Sequence, residues 1–117
     1  MKSKLPTIFN LGHLKYKIVY AQPGDELLKS DTEYSLDGLH SQSRGALVVN
    51  ACGEYTEDYI RLVLLHEIIH AIVTAHGIPI DCDVIENVAD GLSFGFIQAM
   101  HQNPWMATLF SKDVGGK

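Results

Sequence analysis

The sequence predicts an α+β fold, in which a small mixed or antiparallel sheet of three to four short strands packs on two main helices. Three observations support this prediction. Residues 14–20 alternate in side-chain character with a period of two and are rich in aromatic and β-branched residues, which is typical of a strand. Residues 45–50 form a second, short apolar run. Two longer segments with helix start and stop signals follow, at residues 56–76 and at about 81–102.

The composition is typical of one globular domain, which we expect to span residues 1–117. Apolar residues make up 46% of the chain and charged residues 20%. The formal net charge of −5 provides no basic surface for nucleic acid. No apolar run approaches the roughly 20 residues of a membrane span, and no signal-peptide core is present. We therefore expect a cytoplasmic protein that binds neither nucleic acid nor membrane.

The two cysteines, Cys52 and Cys82, are too few for a disulfide framework, and a reducing compartment fits them best. Free or structural thiols are the expectation. A single disulfide between them, or Cys82 as a metal ligand, remains an alternative at this stage.

Three further features bear on the sheet. Residues 5–13 are predicted to form a short helix or an extended arm, and residues 22–25 a turn. Asp37-Gly38 could close a hairpin, because this pair suits turns that need positive φ. The second predicted strand is expected to pair with the first in the same sheet.

The first helix has signals at both ends. Thr56 is a good N-cap, and acidic residues follow it in the first turn, where they suit the positive end of the helix dipole. Gly77, with Pro79 shortly beyond, is a usual helix stop.

The second helix is predicted to begin at Asp81 or Asp83 and to end before Pro104, because the residue preceding a proline avoids helical angles. Gly91 and Gly95 are unfavourable inside a helix by about 1 kcal/mol each, and we expect close approach to the first helix to explain them. The apolar residues at helical spacing are Ile85, Val88, Ala89, Leu92 and Phe96.

The first helix contains the sequence His66-Glu67-Ile68-Ile69-His70. Residues one helical turn apart share a face, so the two imidazoles can converge on one point with Glu67 beside them. Two neutral nitrogen ligands and a nearby carboxylate are what a catalytic zinc ion needs. The alternative is a buried helix with incidentally spaced histidines. That alternative would leave these polar groups on a face otherwise lined by Leu, Val and Ile, at a cost of roughly 1–3 kcal/mol each.

Two residues compete as the third ligand. His76 has the spacing of the metzincin signature, but that signature has glycine where this chain has Val73. Val73 is β-branched and resists positive φ, so we expect the helix to continue and His76 to point away from the site. Glu86 is the better candidate, because it lies on a second helix that must pack back against the first.

Glu86 and Asp90 lie one turn apart and share a helix face. We expect Glu86 to complete the ligand set and Asp90 to accept the free N–H of a ligating histidine. The alternative makes Asp83 and Glu86 a capping box and leaves Asp90 an ordinary exposed acid.

This pair of motifs resembles the active-site core of the gluzincin zinc metallopeptidases. It is most similar to the single-domain minigluzincins and to the ImmA/IrrE-type peptidases of bacteria and their mobile elements. The resemblance covers roughly residues 45–97 and implies a zincin-like minimal core. It also implies that the strand near residues 46–50 is the edge along which an extended substrate lies. The roles that it implies are zinc ligation by His66, His70 and Glu86, general base and acid catalysis by Glu67, and orientation of a histidine by Asp90.

The sequence departs from the large gluzincins in two ways. The interval from His70 to Glu86 is shorter, and no second subdomain follows to supply the Tyr or His that helps to stabilise the oxyanion. His40, Tyr34 and His101 are candidates for that role. Small members of the group can be latent, with a terminal segment over the metal.

The expected function is therefore that of a zinc-dependent metallopeptidase, latent or narrow in specificity, which acts on a protein or peptide substrate. Two alternatives remain: a non-catalytic zinc-containing binding or regulatory module, and a metal-free small interaction protein. The resemblance to proteins of phages and mobile elements also suggests cleavage of a gene regulator. The sequence specifies neither the substrate nor the oligomeric state.

Overall fold

The N-terminal half of the chain folds into four strands: β1 (Ile8–Leu11), β2 (Leu14–Ala21), β3 (Gly38–Ser41) and β4 (Ala46–Asn50). The structure is a computed structural model, and it describes residues 5–22 and 37–110. The strands form a mixed sheet in the order β1-β2-β4-β3, in which β2 and β4 are parallel and the other two pairs are antiparallel. The predicted sheet of three to four strands is confirmed, and so is the pairing of the two predicted strands, which correspond to β2 and β4.

Glycines with positive φ occupy the turns of both hairpins. Gly12 connects β1 to β2, and Gly45 ends the turn between β3 and β4; both have φ of +60°. The prediction that Asp37-Gly38 closes a hairpin is wrong, because Gly38 begins β3 and pairs with Val49. The predicted turn at residues 22–25 lies outside the described residues after Gln22.

Two helices make up the second half: α1 (Glu57–Ala75) and α2 (Cys82–Gln102), followed by a short 3-10 helix (Pro104–Phe110). The Thr56 hydroxyl accepts a hydrogen bond from the Tyr59 amide at 3.1 Å, and Gly77 has φ of +60°, as the predicted ends of the first helix require. Asp81 is the N-cap residue of α2, so the capping-box alternative that begins at Asp83 is wrong.

The helix α1 packs on the sheet, and α2 packs chiefly against α1. The main core consists of apolar side chains from β2, β4 and α1, namely Tyr16, Ile18, Leu47, Val49, Ile60, Val63, Leu64 and Ala71. This core holds the middle of α1 against one face of the sheet, and that placement determines where the histidine motif lies.

The buried face of α2 agrees with the predicted one in part. Ile85 and Ala89 are buried as predicted, and Ser93 is buried as well, whereas Leu92 and Phe96 are 46% and 42% exposed. A methyl group placed on Gly91 or Gly95 would meet no atom within 4 Å, so the expected close approach to α1 is wrong. The helix is rotated so that a stripe of smaller residues, rather than the large apolar ones, contacts α1.

Both cysteines are free, with Cys52 half-buried and Cys82 exposed. In the part of the chain that the structure describes, no helix combines the length and hydropathy that crossing a membrane requires.

Candidate metal centre

The second half of α1 carries the three residues of the histidine motif. His66 and His70 lie one turn apart, with their ring centroids 4.9 Å apart and their Nε2 atoms 3.1 Å apart. The side chains of His66 and His70 are 14% and 20% exposed, so both imidazoles are partly accessible from the surface. The structure therefore brings the two rings together as the sequence predicts.

Glu86 reaches both imidazoles from α2. Its Oε1 lies 3.1 Å from the Nε2 of His66, and its Oε2 lies 2.9 Å from the Nε2 of His70. The Nδ1 of His66 lies 2.7 Å from an oxygen of Asp90, one turn further along α2. Later residues of α1 therefore contact earlier residues of α2, so the two helices are antiparallel.

The donor set contains the atom types that zinc binds. Two imidazole nitrogens and one carboxylate oxygen, all within 4.8 Å of one another, form a group that could hold a metal ion among the described residues. Zinc binds such atoms at roughly 2.0–2.2 Å. Glu86 faces the two imidazoles with different oxygens, Oε1 towards His66 and Oε2 towards His70.

Asp90 determines which nitrogen of His66 can bind a metal. A carboxylate only accepts hydrogen bonds, so the Nδ1 of His66 carries the proton that points at Asp90. In the neutral ring this leaves a lone pair on Nε2, the atom that faces His70 and Glu86. Asp90 therefore fixes the tautomer that a metal ligand needs.

Burial disfavours the charged form of His70. The pKa of His70 is lowered from its usual value, mainly because burial disfavours the charged ring and also because His66 lies beside it, although Glu86 acts in the opposite direction. A neutral imidazole is the form that binds a metal ion.

Glu67 is a buried carboxyl group beside the donor set. The residue is only 7% exposed. Burial is the main cause that raises its pKa to about 7, and the negative charges of Glu86 and Asp90 add to the shift while His66 opposes it. A carboxyl group with a pKa near neutrality can both accept and return a proton at physiological pH.

The start of β3 closes the site on the side of the sheet. A methyl group placed on Gly38 would lie 2.8 Å from the Oε2 of Glu67 and 2.8 Å from the Cγ1 of Val63, which is closer than real contacts allow. Glycine at this position therefore permits β3 to approach Glu67. This role of Gly38 was not predicted, because Asp37-Gly38 is a sequence typical of a turn.

The strand at the rim of the site is β3, and not β4. In the described part of the sheet β4 lies between β2 and β3, so the expectation that the strand near residues 46–50 is the edge is wrong. The Asn50 amide donates to the Asp37 carbonyl at 2.8 Å. In an antiparallel ladder the hydrogen-bonded pairs alternate, so the backbone groups of Gly38 and His40 point away from β4.

The other predicted residues lie in different places. His76 is the exposed C-cap residue of α1 and is not part of the donor set, as expected. His101 lies near Asp58 at the start of α1, away from the donor set. His40 lines a recess beside Glu67 and His70, with its Nε2 3.2 Å from the Tyr16 hydroxyl. Tyr34 lies outside the described residues.

Two site residues were not anticipated. Tyr59 and Asp37 line a cavity beside Glu67. Tyr59 lies two helical turns before His66 on α1, so the two residues share a face of the helix. This position could have been predicted from the helical periodicity of the sequence. Asp37 carried no comparable signal, because its position depends on the pairing of β3 with β4.

Comparisons with models of protein families, with curated proteins and with solved structures found no match to this chain.

Proposed function

We propose that the protein is a zinc-dependent metallopeptidase of the gluzincin type that acts in the cytoplasm on a protein or peptide substrate. The observation that supports this proposal best is the convergence of His66, His70 and Glu86 beside the buried carboxyl group of Glu67. Metal binding by these three ligands does not require the Glu67 carboxyl group beside them. Peptide hydrolysis does require such a group, because a proton must be taken from water and given to the departing amine.

The residues fit a zinc ion in donor type and tautomer. His66, His70 and Glu86 would hold it, and Asp90 would fix the ring of His66. A bound zinc ion supplies Lewis-acid chemistry, in that it acidifies water and polarises a carbonyl group.

Glu67 performs the proton transfer in this proposal. Its buried carboxyl group lies beside the donor set, where it can accept a proton from the attacking water and then donate it to the amine. The substrate backbone lies in an extended form along β3, where the outward-facing groups of Gly38 and His40 can add hydrogen bonds to it. The cleavable bond is thereby held next to the metal-binding side chains.

The test combines elemental analysis with a cleavage assay. Protein purified without an affinity tag is expected to contain about one zinc ion per chain and to cleave an unfolded protein or a peptide library. Glu67→Gln is expected to retain zinc and fold but to lose turnover. Glu54→Gln, the same change at an exposed loop position, is the matched control and should cleave as the wild type does.

The two alternatives give different results in the same test. Stoichiometric zinc without cleavage of any substrate would favour a non-catalytic zinc-containing module. Protein without bound metal, and with no affinity for zinc, would favour a metal-free interaction protein. Equal cleavage by Glu67→Gln and the wild type would refute the role of Glu67.

A further inference from the structure

A cavity of about 410 Å³ opens beside Glu67, between α1, α2 and the start of β3. The recess that contains His40 is a neighbouring space. Gly38, Glu67 and Glu86 border both spaces, so the two adjoin at these residues. The volume lies within the range of pockets that bind small ligands or side chains.

The walls of this cavity are suited to the methylene chain of a long side chain. Leu62, Val63, Phe94 and the ring of Tyr59 contribute its apolar surface. Phe94 is 57% exposed, so contact with a ligand would cover apolar area that is now in water. The cavity is therefore not lined by polar groups alone, as a simple hydrated surface depression would be.

Asp37 provides a fixed negative charge in the wall of the cavity. Its Oδ1 accepts a hydrogen bond from the Tyr55 hydroxyl at 3.0 Å, and its Oδ2 accepts one from the Tyr59 hydroxyl at 2.7 Å. The two phenol rings pack edge to face with their centroids 4.9 Å apart. A carboxylate has about four acceptor positions, so two remain for a further donor. The carboxylate is thus oriented before any ligand binds, which lowers the entropy cost of binding.

The charge around the cavity favours a cation. None of the described lysine or arginine side chains lines it. The carboxyl groups of Glu86 and Asp90 border it as well, and Glu67 adds a third, partly ionised one. Asp37 differs from Glu86 and Asp90 because its carboxylate accepts hydrogen bonds from two phenols, whereas theirs face imidazoles of the donor set.

We propose that this cavity is a specificity pocket that accepts a lysine or arginine side chain next to the cleaved bond, with the Asp37 carboxylate as the partner of its cationic end. The assignment rests on the peptidase function proposed above, because it places the pocket relative to the bond that is cut. Apolar walls that lead to a fixed carboxylate match a side chain with an apolar stem and a charged tip. An uncharged apolar side chain would fill the walls and leave Asp37 without a cation.

The test uses quenched fluorescent peptides that differ at one position at a time, with zinc-loaded full-length protein. Lysine, arginine, norleucine, acetyl-lysine and glutamate are compared at each position around the cleaved bond. We expect one adjacent position at which lysine and arginine raise kcat/KM at least about fivefold over norleucine and acetyl-lysine. This comparison uses the wild type alone and does not depend on the folding of any variant.

Two variants then assign the preference to Asp37. Asp37→Asn is expected to bring kcat/KM for the lysine and arginine peptides to within about twofold of kcat/KM for the norleucine peptide, with all three peptides compared within the same variant. Asp37→Lys is expected to shift the preference towards glutamate, which a purely structural role of Asp37 would not do. Asp58→Asn is the matched control, because Asp58 is also exposed but lies outside this cavity, and it should retain the preference.

The outcomes separate the two proposals. Cleavage with no preference for a basic side chain, or a preference that survives Asp37→Asn, would overturn the pocket assignment and leave the peptidase intact. If zinc-loaded protein cleaves no peptide of any series, the peptidase proposal fails, and the pocket assignment fails with it.

Discussion

Gly38→Ala tests whether the first residue of β3, at the rim of the site, determines the position of the Glu67 side chain. The added methyl group would lie 2.8 Å from the Oε2 and 3.0 Å from the Cγ of Glu67, and 2.8 Å from the Cγ1 of Val63. Non-bonded carbon contacts settle at about 3.5–4.0 Å, so these groups must move by about 0.5 Å or more. Both residues are buried, which leaves the methyl group little free space.

The expected effect falls on turnover more than on metal binding. If Glu67 is the catalytic carboxyl group proposed above, a displacement of this size reduces kcat by about 10- to 100-fold. The three atoms nearest the methyl group belong to Glu67 and Val63, and none belongs to His66, His70 or Glu86. We therefore expect zinc affinity to change by less than about threefold. Overpacking of this kind also costs about 1–3 kcal/mol of folding free energy.

The assay measures kcat and KM separately, together with zinc stoichiometry and thermal unfolding. Gly53→Ala is the matched control, because a methyl group at Gly53 would meet no atom within 4 Å. That variant should match the wild type in all three measurements. A Gly38→Ala protein whose kcat stays within about threefold of wild type would refute the argument that β3 positions Glu67.

Four further predictions follow from the same structure. Asp90→Ala should weaken zinc binding by about 10- to 100-fold, measured by competition with a chelator, because the metal-binding tautomer loses its partner. The pKa of Tyr59 is raised to about 12, first by its hydrogen bond to Asp37, so the stability from this pair is present below about pH 10 and is lost as the pH rises through 12. Titration of tyrosinate absorbance should show one phenol that ionises at unusually high pH, and Asp37→Asn should lower the pH at which it ionises. An unchanged titration would contradict the assignment. Gly91→Ala and Gly95→Ala should each raise the free energy of unfolding by about 1 kcal/mol in urea titrations, since both sites are open; destabilisation would instead indicate a contact with another molecule. Removal of zinc with a chelator should lower the unfolding temperature, because ligand binding stabilises the folded state by mass action. If the protein binds zinc but its unfolding temperature does not change when zinc is removed, the site contributes nothing to stability.

The sequence predicted the helices and the meeting of His66 with His70 well, because both depend on local spacing. Thr56 and Gly77 determine the ends of α1 through their own backbone preferences, and the histidines of the motif need only one helical turn to meet. Glu86 required one further assumption, that two helices joined by a short loop pack against each other. Such features follow from the sequence without knowledge of the sheet.

The features that the sequence did not predict depend on contacts between distant segments. Whether Gly38 belongs to a turn or to a strand depends on its pairing with Val49, and its role beside Glu67 depends on how α1 crosses the sheet. The rotation of α2 is equally non-local: helical periodicity marked Leu92 and Phe96 as buried, but smaller residues face α1. Periodicity identifies an apolar stripe, and it does not decide which side of the stripe another helix covers.

The arrangement of α2 also bears on the choice between a structural and a catalytic metal. Within the described chain α2 packs chiefly against α1 and buries only Ile85, Ala89 and Ser93, so an ion shared by Glu86 and the α1 histidines would cross-link the two helices. Such a cross-link requires only the three ligands. Glu67 would add nothing to such a cross-link, yet it is buried beside it, and its raised pKa corresponds to roughly 3 kcal/mol against the charged form. Structural zinc sites usually have four protein ligands, whereas the described residues provide three donors with a buried carboxyl group alongside, which supports the proposed catalytic role.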